Sequence, residues 1–160
     1  MIPFDNLPAL FNPEGADLFI NYHTNAPQPY LTVPTDRLVE VCWFLRDDDR
    51  LFFDLLACIT AIDNGPDAST MDIFYNLTSI PYERNLGLKV VVPRDKPVLP
   101  SVASVWRTAD WHEREAFDLV GVEFTNHPDL RRILLPTDWV GHPLRVDYQE
   151  MTEYHGIKTT

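Results

Sequence analysis

Apolar and polar positions along the chain fall into short patterns separated by proline, glycine or runs of charge. Residues 17–23 (DLFINYH) alternate, with Leu18, Ile20 and Tyr22 on one side, and read as a strand. Upstream, apolar residues interleaved with Pro3, Pro8 and Pro13 suggest a short helix over 4–12. A short strand over 30–33 follows Pro27 and Pro29. Leu38, Val41, Cys42 and Leu45 then recur at helical spacing. That stripe predicts a helix from Thr35 that stops at or before Arg46, because the three aspartates that follow oppose its dipole. In LFFDLLACITAID, Phe52, Leu55 and Leu56 suit a short helix, which runs into a strand over 57–63. After the turn Asn64-Gly65-Pro66-Asp67, residues 71–79 and 87–93 read as strands paired in an antiparallel hairpin. Asp110 and Glu113 have capping-box spacing and Gly121 is a natural left-handed stop, so a charged helix should span 111–120. Pro128, Pro136 and Pro143 favour extended chain beyond it. The pattern predicts an α+β domain with helices packed on a mixed, largely antiparallel sheet. Residues 1–123 would form its core, and 124–160 an extended, Pro- and Arg-rich arm of the same domain.

Composition narrows the function. A chain of 160 residues, 45% hydrophobic and 23% charged, suits one soluble domain. Thirteen Lys and Arg against 24 Asp and Glu leave a net charge of −11, spread over both halves. Repulsion from phosphate makes such a chain a poor binder of nucleic acid or anionic membrane. Cys42 and Cys58 form no CxxC, and Cys42 lies on the apolar stripe, where a thiol stays protonated. No apolar run approaches the ~20 residues of a spanning helix, and no basic segment precedes an apolar signal core. A cytosolic protein with no direct membrane span is the expectation.

The charged helix is the place to look for chemistry. His112-Glu113 matches the start of the zinc-protease helix motif, but Ala116 stands where the second histidine is required. His112, His127 and His142 have no local ligand spacing, so a stand-alone metalloenzyme built on them is the weaker alternative. Glu113 and Glu115 are two residues apart and point to different faces, which argues against a two-carboxylate acid–base site. No phosphate loop or nucleophile elbow occurs. No catalytic residue, metal ligand or cofactor is expected. Asp110–Arg114 and Arg114–Asp118 are i,i+4 pairs, which fit either a well-capped surface helix or a buried ionic interface. Beyond the helix, the forks of Arg131, Arg132 and Arg145 suit partner carboxylates, with Leu134, Leu135 and Trp139 as apolar anchors. The same stretch would also serve as a long loop on its own sheet.

Glu113-Arg114-Glu115, Asp118, Leu119, Val120, His127, Arg131, Ile133 and Leu134, with the runs HPDLRRIL and GHPLRVDY, resemble one family. It is the 30-kDa subunit of respiratory complex I, the C subunit of bacterial NADH-quinone oxidoreductase. The resemblance takes in FFDLLACITAID and SVASVWRTADWHERE and spans roughly residues 32–148. It implies a cofactor-free subunit of the peripheral arm on the cytoplasmic face of the cell membrane. There it would brace the quinone module beside a 49-kDa-type subunit and iron–sulfur subunits. The residues implied as motif and interface are Glu113, Arg114, Glu115, Asp118, His127, Asp129, Arg131, Arg132, His142, Arg145 and Asp147. The equivalent subunit of a membrane-bound hydrogenase or ferredoxin-linked complex is the alternative. Val120 and Val146 depart from the Phe and Lys usual in the family at those places.

Overall fold

The computed structural model describes residues 21–158. The elements run β1 (Asn21–His23), β2 (Tyr30–Thr32), a 3-10 turn (Thr35–Arg37), α1 (Leu38–Asp47), β3 (Leu55–Asp63), a one-turn helix α2 (Gly65–Ala68), β4 (Thr70–Ser79) and β5 (Arg84–Pro93). There follow β6 (Val98–Pro100), α3 (Ala109–Val120), β7 (Glu123–Thr125), β8 (Glu153–Tyr154) and β9 (Ile157–Lys158). The expected helix over 4–12 and the start of the strand over 17–23 lie outside the described residues.

The main sheet has five strands in the order β1-β2-β5-β4-β3. Only β2–β5 is parallel. Close pairing of β2 with β5 needs Gly87, because a Cβ there would come within 2.9 Å of the Tyr30 Cβ. Strict alternation in β4 puts Met71, Ile73, Tyr75 and Leu77 on the core face, and β5 matches it with Leu86, Leu88, Val90 and Val92. Leu38, Val41, Cys42 and Leu45 of α1 and Ala109, Ala116 and Val120 of α3 bury against that same face. The opposite face, carrying Thr60, Phe74 and Lys89, has no helical layer among the described residues, and β3 is an edge strand.

Two expectations change. No helix forms over 52–56. Phe52 takes a left-handed φ of 43°, the amides of Leu51 and Phe52 both bond to the Asp48 carbonyl, and Phe53 bonds back to Leu45. The buried Leu51 and Phe53 thereby close the end of α1, and β3 begins at Leu55. A register shift between Leu56 and Cys58 breaks the alternation near the start of β3. The second change concerns the capping box. α3 starts at Ala109 with Thr108 as its cap, no side chain caps it, and Glu113 points elsewhere.

Candidate functional site

The signature residues sit at two ends of α3. Near its start, Glu113 is fully buried. Its carboxyl accepts from the Ser101 hydroxyl at 2.5 Å and the Val102 amide at 2.7 Å. His127, whose side chain is also fully buried, brings Nε2 to 3.1 Å from the Asp110 carbonyl, 3.3 Å from Asp110 Oδ1 and 3.8 Å from Glu113 Oε2. Its Nδ1 accepts from the Asp129 amide at 3.0 Å, so the proton is on Nε2, facing the two acids. Burial pushes the Glu113 carboxyl up to about 7, against the lowering effect of the Ser101 and Val102 hydrogen bonds.

At the other end, Asp118 is likewise hidden from solvent and is fully supplied with donors. Its Oδ2 accepts from the amides of Ile133 (3.0 Å), Leu134 (2.7 Å) and Leu135 (2.9 Å), and its Oδ1 from Arg132 Nη1 (2.7 Å). Burial raises this carboxyl, but those four donors outweigh it and hold it below the usual carboxylate range. The last carbonyls of α3 are closed by the same arm. His142 Nδ1 donates to the Asp118 carbonyl at 2.9 Å, the Leu144 amide to Leu119 at 2.9 Å, and Arg145 Nε to Val120 at 2.8 Å. Cationic arginines at the negative end of the helix dipole reinforce this cap. Gly121 is required twice over. Its φ is 82°, and a Cβ would lie 2.6 Å from the His142 ring and 2.9 Å from Arg145. Burial, then the nearby Arg145 and Arg132, lowers the His142 pKa.

The arm therefore lies back on its own helix. Arg132 also bonds the carbonyls of Trp139 and Gly141, each at 3.1 Å, so Arg132 and Arg145 are spent inside the chain and do not reach outward. The expected Asp110–Arg114–Asp118 ladder does not form. Four donors already occupy Asp118, and Arg114 turns to the carbonyls of Arg131 (3.3 Å) and Arg132 (3.4 Å). Glu115 is exposed, 4.0 Å from His112, and Asp129–Arg131 is an exposed pair at 2.8 Å. Asp147 belongs to a separate knot, in which Arg94 bridges it at 2.5 Å to Asp63 at 2.6 Å. The Arg94 hydrogen bond, joined by the amides of Val146 and Gly65, holds Asp63 down at about 2 despite burial. Sequence reasoning misses Ser101, Asp63 and Arg94. Each meets its partner across a long stretch of chain, and no local pattern marks them.

Among the described residues no group of three or more His, Cys, Asp and Glu is placed to hold a metal ion, and His112, His127 and His142 do not converge. Burial raises the Cys42 thiol pKa, so it is no nucleophile. No helix among the described residues is long and apolar enough to cross a membrane.

The chain is 42% identical over 144 residues to the NADH-quinone oxidoreductase C subunit of Chloroherpeton thalassium, covering 89% of this chain and 59% of that one. It thus spans under two thirds of that relative's length. It is 44% identical over 139 residues to the corresponding C subunit of Chlorobium phaeobacteroides (86% of this chain, 83% of the relative). With that of Geobacter sulfurreducens the figure is 46% over 119 residues (74% and 72%). Among solved structures, the trypsin-resistant fragment (1-134) of Nqo5 aligns with a TM-score of 0.57 at 28% identity, covering 68% of this chain and 89% of the fragment. A chain of the membrane-bound sulfane sulfur reductase, an archaeal respiratory membrane complex, shares the fold with a TM-score of 0.64 at 21% identity, covering 75% of this chain and 70% of that one. Residues 31–154 match the family model described as "Respiratory-chain NADH dehydrogenase, 30 Kd subunit". This chain belongs to that family, and the match takes in both ends of α3 and the arm as far as Tyr154.

Proposed function

We propose that this chain is a cofactor-free, non-catalytic subunit of a proton-translocating NADH:quinone oxidoreductase. It docks in the peripheral arm of that complex on the cytoplasmic face of the cell membrane. There it braces the quinone-reducing module through contacts with a 49-kDa-type subunit and iron–sulfur subunits. One observation carries the reading. The arm over 124–160 exposes Leu134, Val140, Leu144 and Val146, each between 59% and 69% accessible, while Asp118, Asp63 and α3 pin its backbone. Exposed apolar side chains concentrated on one segment mark a contact surface. A segment already ordered loses little further entropy on docking. The buried ionic groups of the signature serve as the frame for that surface, and Glu115, Asp129 and Arg131 are its free rim.

The test is affinity purification of the tagged chain from detergent-solubilised membranes. The expected result is co-purification of iron–sulfur and 49-kDa-type subunits with NADH-linked quinone reduction. Recovery of the chain alone overturns the reading, and ferredoxin-linked or hydrogenase activity in the captured complex moves the chain to the related setting.

A further inference from the structure

The outer edge of β3 has unused hydrogen-bonding capacity at one place. The Asn64 amide donates to the Thr70 carbonyl, which sets the phase of the β3–β4 ladder. Bonded and non-bonded pairs alternate in an antiparallel ladder. Thr60 and Ile62 therefore face β4 with their backbone groups, while Ile59 and Ala61 turn theirs outward. Among the described residues the outward N–H and C=O of Ile59 and Ala61 meet no partner, backbone or side chain. The stretch is closed at both ends. Thr108 Oγ1 caps the Leu56 carbonyl at 3.2 Å, and the arm crosses at Asp63, where the Val146 amide bonds Oδ2 at 3.0 Å.

Beside this edge lies a cavity of about 140 Å³ between β3 and α3, lined by Ile59, Ala61, Ala116, Leu119, Val120 and Leu144. It opens to solvent, its surface is polar as well as apolar, and its volume admits one small side chain. Glu115 forms its polar rim, and Leu144, which lines it, is 59% exposed. Free backbone groups beside a partly apolar pocket are the two components of strand addition: the backbone supplies affinity and the pocket selects a side chain.

We propose that the β3 edge at Ile59–Ala61 takes up an extended segment of a neighbouring polypeptide as an added strand. That segment places one apolar side chain in the α3–β3 cavity and a Lys or Arg against Glu115. The inference rests on the reading of this chain as a docked subunit. Charge selects the occupant. Two copies paired edge to edge would set Glu115 against Glu115 and bring together two chains of charge −11, whereas a basic segment gains on both counts. The edge is short, so it accepts a segment of a few residues and does not propagate a sheet.

Residue-resolved hydrogen–deuterium exchange on the assembled membrane complex and on the purified full chain tests this. In the free chain the amides of Thr60 and Ile62 are protected and those of Ile59 and Ala61 exchange fast. In the complex the Ile59 and Ala61 amides slow by ~100-fold or more, which makes protection continuous along the strand. Ala61→Pro removes an outward donor and keeps the β4 ladder, so it lowers recovery in the complex, while Leu144→Asp at the cavity rim does the same without touching the backbone. Incorporation into the complex with both amides still exchanging fast overturns the strand addition and leaves the docking reading intact. Failure to incorporate at all sinks the docking reading. Concentration-dependent protection of the free chain would assign the edge to a second copy and overturn the proposal.

Discussion

Two carboxylates on one helix, five residues apart and both hidden from solvent, end in opposite electrostatic states. Glu113 is pushed up to about 7, and Asp118 is held below the ordinary carboxylate range. Neither is exposed to solvent, but Glu113 lies much deeper among packed atoms than Asp118. Depth and donor supply both separate them. Glu113 receives one hydroxyl and one amide, while Asp118 receives three amides and a guanidinium. An anion in a protein interior needs its lone pairs filled, and where they are not, it keeps a proton instead. The arm provides the donors at Asp118 because three consecutive amides of residues 133–135 turn toward one oxygen. No comparable turn exists around Glu113, whose second neighbour is another acid, Asp110.

The sharpest way to break this contrast is Asp118→Ala. Losing the carboxylate leaves three amides and Arg132 without their acceptor, and the expected cost is about 3–5 kcal/mol. Chemical denaturation reads the loss, and limited proteolysis should cut within 131–146 once the arm is released. A cost under ~1 kcal/mol would mean that the arm is held by its other contacts.

Glu113→Gln tests the opposite end and carries a sign. In the unfolded chain Glu113 ionises near 4.5, whereas in the folded chain it keeps its proton to about 7. Its contribution is therefore full below pH 4.5 and is lost as pH rises to about 7. That loss is on the order of 3 kcal/mol. Gln, a neutral mimic, should remove that slope, so the variant equals the wild type in mild acid and exceeds it in stability at pH 8. Asp118 runs the other way, with stability present above the carboxylate range and lost as pH falls through it. Unfolding free energies measured across pH for the wild type and both variants should separate the two trends, and parallel curves would refute the contrast.

Gly121→Ala comes next. The left-handed φ of 82° and the 2.6 Å approach to His142 both oppose a side chain there. The strained backbone alone costs about 1–3 kcal/mol. The helix cap on the Asp118 side should loosen, seen as faster amide exchange at Leu144 and Arg145 with Glu113 unaffected. Smallest of all is Arg131→Ala, which removes an exposed pair with Asp129 and should leave the thermal midpoint unchanged within error, because solvent already screens that pair. A clear shift there would place the free rim inside the fold.

Much of the framework is readable from residue order because its determinants are local. Strict alternation in β4, the four-residue stripe of α1 and the glycine closing α3 each depend on the backbone period of a single element. The site is legible as a set of residues and misleading as a set of contacts. Glu113, Asp118, Arg132 and His142 all stand out in the sequence. Their spacing suggests a capping box, i,i+4 ion pairs and outward-facing guanidinium groups. Helical spacing permits such pairs but cannot register that the arm has already filled the acceptors. The helix expected over 52–56 fails for a related reason, since the left-handed turn at Phe52 and the bond from Phe53 back to Leu45 are set by packing on α1.

What the sequence determines by itself, then, is the catalogue of elements and the α+β class, set by short-range periodicity and backbone preference, while the signature residues are marked by the family resemblance. Tertiary structure alone decides which acid is charged and which residues cap α3. It decides also that Arg94 ties Asp63 to Asp147 and that Ser101 serves Glu113. The physical reason is that a buried polar group takes whatever donor the folded chain delivers to it. That donor comes from as far as 83 positions away, as with Val146 and Asp63, beyond the reach of any local pattern.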